Sequence, residues 1–454
     1  MIQVKSRDFV SAGPADGIGR PPFPPVRVTQ ISTSDSVGGA AIATRRLHHA
    51  LGALGVRSQM LVARRGTRNP NVVEYNPFSP APRIVGRLLF RLVRRWHRPS
   101  FLKAGAFLTP EWTLTGWRLL SQLPACDLVN LHWVADMVNF HTLPRLLARV
   151  PAVWTFHDMN AFTGGCHYND ACERFTANCG ACPQLRCSAG EADMTRRVMQ
   201  RKREIFRRLP TSRLTLVCPS SWLARETRRS SLCRQFDVRV IPNGVDVDQY
   251  HPVERAEARR RLNLPLDAHI VLFVAESLVD RRKGFGLLLK AFEALRNLEG
   301  LLLVTLGNSR RSGPLDPMWR DLGPIYDVER LRAAYSAADV FAIPSLQDNL
   351  PNTILESMAC GTPVVAFATG GITEAVSDGH TGLLAPTGDV SAYSLRLRRI
   401  LEDGRLRHDL GVGARKRAEQ DFTVELQARR YASLYQEILR AQAPAPSVHA
   451  PVLP

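Results

Sequence analysis

Residues Pro344–Glu374 read P-S-L-Q-D-N-L-P-N-T-I-L-E-S-M-A-C-G-T-P-V-V-A-F-A-T-G-G-I-T-E. Val340–Ile343, just before them, is a short apolar run of the buried-strand kind. Gln347–Asn352 is polar, and Asn352 has the chemistry of a helix N-cap ahead of Thr353–Glu356. Gly361 supplies a helix stop, and Pro363 opens a second apolar run, Val364–Phe367. The order is strand, loop, helix, strand, glycine turn, which predicts a parallel α/β unit.

That order carries chemistry. A helix N-terminus at the carboxyl end of a parallel strand offers free N–H groups and partial positive charge to a phosphate. Glu356, one turn into the helix, would repel a phosphate and instead suits a vicinal diol such as a ribose, from which a carboxylate accepts well. Asp348 is a second acceptor in the preceding loop. Together they suit a nucleotide-sugar. Taken singly, a solvated helix residue and a turn former explain them equally well.

The stretch resembles the donor-site signature of the retaining family 4 glycosyltransferases of the GT-B fold: an acidic residue, seven others, then Glu. The run from Asp348 to Phe367 is similar to the branch that builds bacterial exopolysaccharides, including colanic-acid-type enzymes. The family's first acid is usually Glu, and here it is Asp348. The resemblance covers roughly residues 26–440. It implies an α/β protein with two Rossmann-like doubly wound domains facing across a cleft. It implies sugar transfer from a nucleotide-sugar to a saccharide acceptor, lipid-linked in many relatives, with retention at the anomeric carbon. It puts Asp348 on the donor sugar and Glu356 on the ribose. Asn349, Leu350, Asn352 and Thr353 then line the donor, as do Gly370, Gly371 and Glu374 in the next glycine turn.

Composition is compatible with this. A chain of 454 residues exceeds one ordinary core, so two domains are expected. Apolar content of 45% and charged content of 22% are globular values. No apolar run is long enough to span a bilayer, and the first 25 residues hold no continuous apolar stretch of the secretory kind. A cytoplasmic chain with reduced thiols is the resulting expectation. The net charge of +19 fits an anionic partner, although its Arg-dominated basic content also fits genomic bias. No nucleic-acid motif is present, so a nucleic-acid partner is not expected.

From the amino end, residues 1–25 read as a disordered tail. Val26–Ile31 is the first strand, and Gly38-Gly39 occupies the turn into a helix over 40–54. The pair is an ordinary tight turn by itself. The resemblance places it near the donor phosphates and acceptor. Residues 83–98, R-I-V-G-R-L-L-F-R-L-V-R-R-W-H-R, separate Arg83, Arg87, Arg91, Arg94, Arg95 and Arg98 from Val85, Leu88, Leu89, Leu92, Val93 and Trp96 at helical spacing. A basic amphipathic helix with Trp predicts peripheral contact with an anionic membrane surface, here the inner face of the plasma membrane. Its plain alternative is a helix packed on the first domain.

Two further strands are expected at 126–133 and 153–156, the second leading into His157. A lone His is more often structural. The resemblance places this one at the active site, beside the donor sugar. Cys166, Cys172, Cys179 and Cys182 follow in C-x5-C-x6-C-x2-C spacing, with Cys187 beyond. The 166–187 segment suits a small structural zinc site beside the active site. An iron–sulfur cluster, free thiols or an incidental disulfide are the alternatives. No cofactor is expected for catalysis, since the GT-B class generally works without a metal.

The first domain is expected to end near residue 241, and I-P-N-G-V-D resembles the family's crossover into a nucleotide-sugar domain over 242–420. There Lys283 suits a cation over the donor diphosphate, against the plain reading of a solvated basic loop. The family's Arg a few residues earlier is missing in register, and Arg282 is the favoured substitute. Helix 421–441 resembles the family's return to the first domain. Residues 442–454 read as a disordered Ala/Pro tail. Two rivals to transfer remain: a nucleotide-sugar epimerase on the same fold, and a membrane-associated protein that binds sugar nucleotides without turnover.

Overall fold

The computed structural model describes residues 26–78, 84–85, 88, 92, 102–103, 106–113, 116–186, 190, 193–309 and 316–442. The expected amino tail, the expected carboxyl tail except Gln442, Cys187, and all but four residues of the basic 83–98 segment lie outside them.

Apolar runs rich in Val, Ile and Leu become strands buried on both faces, as a parallel sheet covered by helices requires. The first sheet contains β1 (Arg27–Ser34), β2 (Arg57–Arg64), β3 (Val72–Glu74), β4 (Leu128–Leu131), β5 (Ala152–Thr155), β6 (Leu214–Cys218) and β7 (Asp237–Val240). Its order is β3-β2-β1-β4-β5-β6-β7. The second contains β8 (His269–Ser277), β9 (Leu301–Asn308), β10 (Trp319–Asp321), β11 (Val340–Ile343), β12 (Val364–Phe367) and β13 (Gly382–Ala385), in the order β10-β9-β8-β11-β12-β13. Every strand pair is parallel. The fold is therefore α/β with two Rossmann-like domains, each reversing strand order beside its first strand. That reversal opens a crevice at the carboxyl ends of the strands. Strands β3 and β10 were not legible in the sequence, because three residues at a sheet edge carry too little pattern.

The chain crosses between domains twice, and the crossings pack on each other. Val245 N–H donates to Phe422 O at 2.8 Å, and Val424 N–H to Val245 O at 3.0 Å. The final helix, Val424–Gln442, then lies against the first domain. Its Ala428, Tyr431, Tyr435 and Ile438 share one buried cluster with Val28, Leu47, Leu51 and Val153. Burial of each such side chain contributes roughly 1.5–3 kcal/mol, so the carboxyl end of the chain is part of the first domain's core. Among the described residues no helix is long and apolar enough to cross a membrane. The described part of the 83–98 segment is helical at Ile84, Val85, Leu88 and Leu92, all exposed.

One local expectation is corrected. Asn352 does not cap its helix; it is the first helical residue, and Pro351 is the N-cap. Proline's fixed φ already sets the entry. The Asn352 side chain instead donates across the domains, to Gly39 O at 2.9 Å.

Candidate functional site

The site is assembled from strand ends. His132 follows β4, His157 follows β5 and Ser220 follows β6 in the first domain, while Asp348 and Glu356 follow β11 in the second. Gly38-Gly39 after β1 completes the wall. A Cβ on Gly38 would lie 3.6 Å from Glu276 Oε2, and one on Gly39 3.9 Å from Asn352 Nδ2, so this glycine turn faces the second domain directly.

Glu356 is buried, and both carboxylate oxygens are engaged. Arg46 of the first domain donates to Oε1 at 2.6 Å. The Tyr335 hydroxyl donates to Oε2 at 2.9 Å. Arg46 in turn lies over the Tyr250 ring, 5.1 Å from its centroid. Burial opposes the charge on Arg46, and Glu356 more than offsets it, so the guanidinium is held more firmly protonated than usual. Each oxygen thus has one donor in this structure, Arg46 or Tyr335, neither of which the sequence signalled, and a carboxylate retains further acceptor positions for a diol.

Asp348 is the centre of a second cluster. Lys283 Nζ approaches Oδ2 at 2.6 Å and Arg282 Nη1 at 3.2 Å. The Tyr168 hydroxyl reaches Oδ1 at 3.3 Å from the first domain. Burial pushes the Asp348 carboxyl up, but Lys283 and Arg282 more than reverse this and bring it down to about 2. It is ionised at any working pH and cannot serve as a proton donor. Lys283 and Arg282 lie together as one cationic pair, with Asp348 as their present partner. The geometry of Gly284 fixes them there: its φ is +73°, and a Cβ would fall 1.8 Å from Pro344 O.

The glycine turn after β12 supports this loop from below. Gly370 has φ +56°, and a Cβ there would lie 1.9 Å from Asp348 O; one on Gly371 would lie 2.0 Å from Asn349 O. Glu374 is engaged across the domains. Its carboxylate accepts from Ser221 N–H at 2.7 Å and Trp222 N–H at 2.8 Å, capping a helix N-terminus of the first domain. Asn349 bridges the domains too, donating to His157 O at 3.3 Å and accepting from Ser220 Oγ. Leu350 is buried, and its carbonyl accepts from Asn243; Thr353 is half-buried on the helix.

His157 ends a chain of polar side chains. His132 Nε2 lies 2.8 Å from Gln30 Oε1, and its Nδ1 lies 3.0 Å from His157 Nε2. With Gln30 accepting, His132 must carry its proton on Nε2 and accept from His157 Nε2–H. His157 Nδ1 is then the ring's acceptor. Gln30 Nε2 reaches Tyr435 OH at 3.4 Å on the last helix. Burial lowers His157 to about 4 and holds His132 well below its usual value. Both imidazoles are neutral at pH 7. The sequence pointed to His157 but not to His132 or Gln30, which become meaningful only when β1, β4 and β5 lie side by side.

The four cysteines of the 166–182 segment are free thiols lining one small cavity. Among the described residues, no three or more His, Cys, Asp or Glu side chains are gathered as a ready metal-ligand set.

Residues 37–249 match the family model described as Glycosyltransferase Family 4, and residues 268–403 the model described as Glycosyl transferases group 1. Both halves are thus similar to glycosyltransferase domains. Among curated relatives, the D-inositol 3-phosphate glycosyltransferase of Acidothermus cellulolyticus is 37% identical over 209 residues, covering 41% of this chain and 46% of that protein. That of Salinispora arenicola is 34% identical over 251 residues, covering 49% of this chain and 55% of that protein. The chain thus spans about half the length of the curated relatives it matches. Sucrose-phosphate synthase from Thermosynechococcus elongatus superposes with a TM-score of 0.65 at 23% identity, over 92% of this chain and 100% of that one. Anabaena HepE in complex with UDP-glucose superposes at 0.59 and 16% identity, over 91% and 100%. These likenesses establish the fold, two Rossmann-like domains in the GT-B arrangement.

Proposed function

We propose that the protein is a retaining glycosyltransferase that moves a hexosyl group from a nucleotide-sugar to a saccharide hydroxyl. The observation that carries this reading is the placement of Asp348 and Glu356 beyond the carboxyl end of β11, with Arg282 and Lys283 beside Asp348 and His157 opposite. A carboxylate for a diol, a cation pair for a diphosphate and a neutral imidazole for a sugar hydroxyl are the groups a nucleotide-sugar needs.

In this reading the bond between the anomeric carbon and the diphosphate oxygen breaks as the acceptor oxygen attacks from the same face. The leaving phosphate takes the acceptor's proton. Lys283 and Arg282 neutralise the departing charge. Asp348 holds those cations and orients the donor sugar. His157 Nδ1 accepts from a sugar hydroxyl. Neither carboxylate acts as a nucleophile, unlike the pair in a retaining glycosidase. No metal takes part in the transfer.

We place the acceptor on a lipid carrier in cell-surface polysaccharide synthesis, with the protein peripheral on the cytoplasmic face of the membrane. The net charge of +19 and the exposed Ile84, Leu88 and Leu92 support this. A second acceptor, an inositol phosphate, is favoured by the names of the curated relatives. The test supplies a panel of nucleotide-sugars with either a lipid-linked saccharide in anionic vesicles or D-inositol 3-phosphate, and reads the product by NMR. A product with the donor's anomeric configuration supports the proposal. An inverted product, or epimerised donor without any acceptor, contradicts it.

A further inference from the structure

Among its described residues, the segment between Thr163 and Asp193 has little regular structure of its own, a single turn at Arg174–Thr176 and a helical residue at Gly190. Four of its thiols border one cavity, although as placed they form no ready metal-ligand set. Cys166, Cys172, Cys179 and Cys182 line the same cavity of about 20 Å³, with Phe175, Pro183 and Thr195 closing it. A space of that size holds about one water-sized sphere.

The backbone around these sulfurs is shaped for thiolates. Gly164 N–H donates to Cys179 Sγ at 3.1 Å. Leu185 N–H donates to the Cys182 carbonyl at 3.2 Å and the Thr163 hydroxyl to the Cys166 carbonyl at 2.7 Å, closing tight turns about both cysteines. Between the paired cysteines the chain takes two left-handed residues, Gly180 at φ 139° and Ala181 at φ 43°. A tight turn that aims N–H groups back at its own sulfurs is how a C-x-x-C pair stabilises negative charge on sulfur. N–H groups aimed at neutral buried thiols gain little; aimed at thiolates bound to a cation they gain much.

The same segment reaches the donor loop. Tyr168, two residues after Cys166, hydrogen-bonds Asp348, and its ring lies 4.2 Å from the Arg282 guanidinium. Asp170 N–H donates to Gln347 Oε1 at 3.2 Å, and Gln347 Nε2 donates to Asn169 Oδ1 at 2.5 Å.

We propose that Cys166, Cys172, Cys179 and Cys182 bind one zinc ion, and that this ion holds the loop from which Tyr168, Asn169 and Asp170 meet Gln347 and Asp348. Four sulfur ligands at about 2.3 Å in a tetrahedron leave no open position, so the ion is structural. Each thiol loses its proton to solvent on binding, and nothing is oxidised or reduced. The metal site stands independently of the sugar-transfer reading.

The test uses the full chain without an affinity tag, purified without chelator. Elemental analysis is expected to find about one zinc per chain. Titration with a mercurial in the presence of a chromogenic zinc chelator is expected to release it as the thiols are consumed. The Cys179→Ser/Cys182→Ser variant is expected to fall to a tenth of that zinc or less. Should the variant fail to fold, the wild-type stoichiometry decides alone. Less than a tenth of a zinc in the wild type, with four alkylatable thiols, a disulfide among them, or iron in zinc's place, overturns the metal site. Hydrogen exchange at residues 344–350 is expected to rise at least threefold once zinc is removed. Unchanged exchange there overturns the link to the donor loop.

Discussion

Arg46 and Glu356 lie on different domains and meet at 2.6 Å, both nearly shielded from solvent. The bridge ties the first helix of the first domain, Gly39–Ala53, to the helix Asn352–Ala359 that carries the donor-site signature. Removing one partner leaves a buried charge unpaired, a change that costs on the order of 3–5 kcal/mol. Arg46→Met is therefore expected to lower the melting temperature by several degrees, read by calorimetry. Arg46→Lys is expected to recover only part of the loss, because a point charge does not replace a planar guanidinium over Tyr250.

Gly370 is predicted to tolerate no side chain. An alanine Cβ would press on the Asp348 carbonyl at 1.9 Å, at a φ that L residues rarely adopt. Gly370→Ala is expected to cost roughly 2–3 kcal/mol and to displace the Asp348 loop. Transfer activity should fall by at least a hundredfold. A melting curve and an initial-rate assay check both.

His132 is a positioning residue: it touches His157 and Gln30 and acts on the site through His157. His132→Phe keeps the ring and removes the acceptor for His157 Nε2–H. The expected outcome is a kcat about tenfold lower with little change in donor KM. His132→Gln, which can still accept, should recover part of the loss.

The pH dependence follows from burial. His157 titrates near 6.5 in the unfolded chain and near 4 in the folded one. Between those values the unfolded chain binds more protons, so stability is lost as pH falls from about 6.5 towards 4. The contribution of His157 to that loss is on the order of 3 kcal/mol, with His132 acting in the same direction. The acid limb of kcat/KM should accordingly lie near pH 4–5. A limb centred near 6.5 would show that His157 is more open to water than its packing implies.

The fold was legible wherever the sequence carried long signals. Apolar runs such as His269–Val274 and Val364–Phe367 became strands close to their expected bounds, because both faces of a parallel sheet are buried and the pattern is continuous. The Asp348 and Glu356 positions stood out by their spacing along a helix entry. What stayed hidden was pairing at long separation. Arg46 precedes Glu356 by 310 positions, and Tyr168 precedes Asp348 by 180. Nothing in local periodicity links residues so far apart. The engagement of Glu374 was hidden for the same reason: its carboxylate meets a helix N-terminus from the other domain.

The most direct measurement is thermal stabilisation by UDP-, GDP-, ADP- and dTDP-sugars, with the wild type beside Glu356→Gln. A ligand that binds the folded state raises the melting temperature by an amount set by its concentration over Kd. The account predicts that one nucleotide class stabilises the wild type by several degrees and that the variant, still folded, loses most of the shift. Equal stabilisation of both proteins would contradict it, because the donor would then not use Glu356.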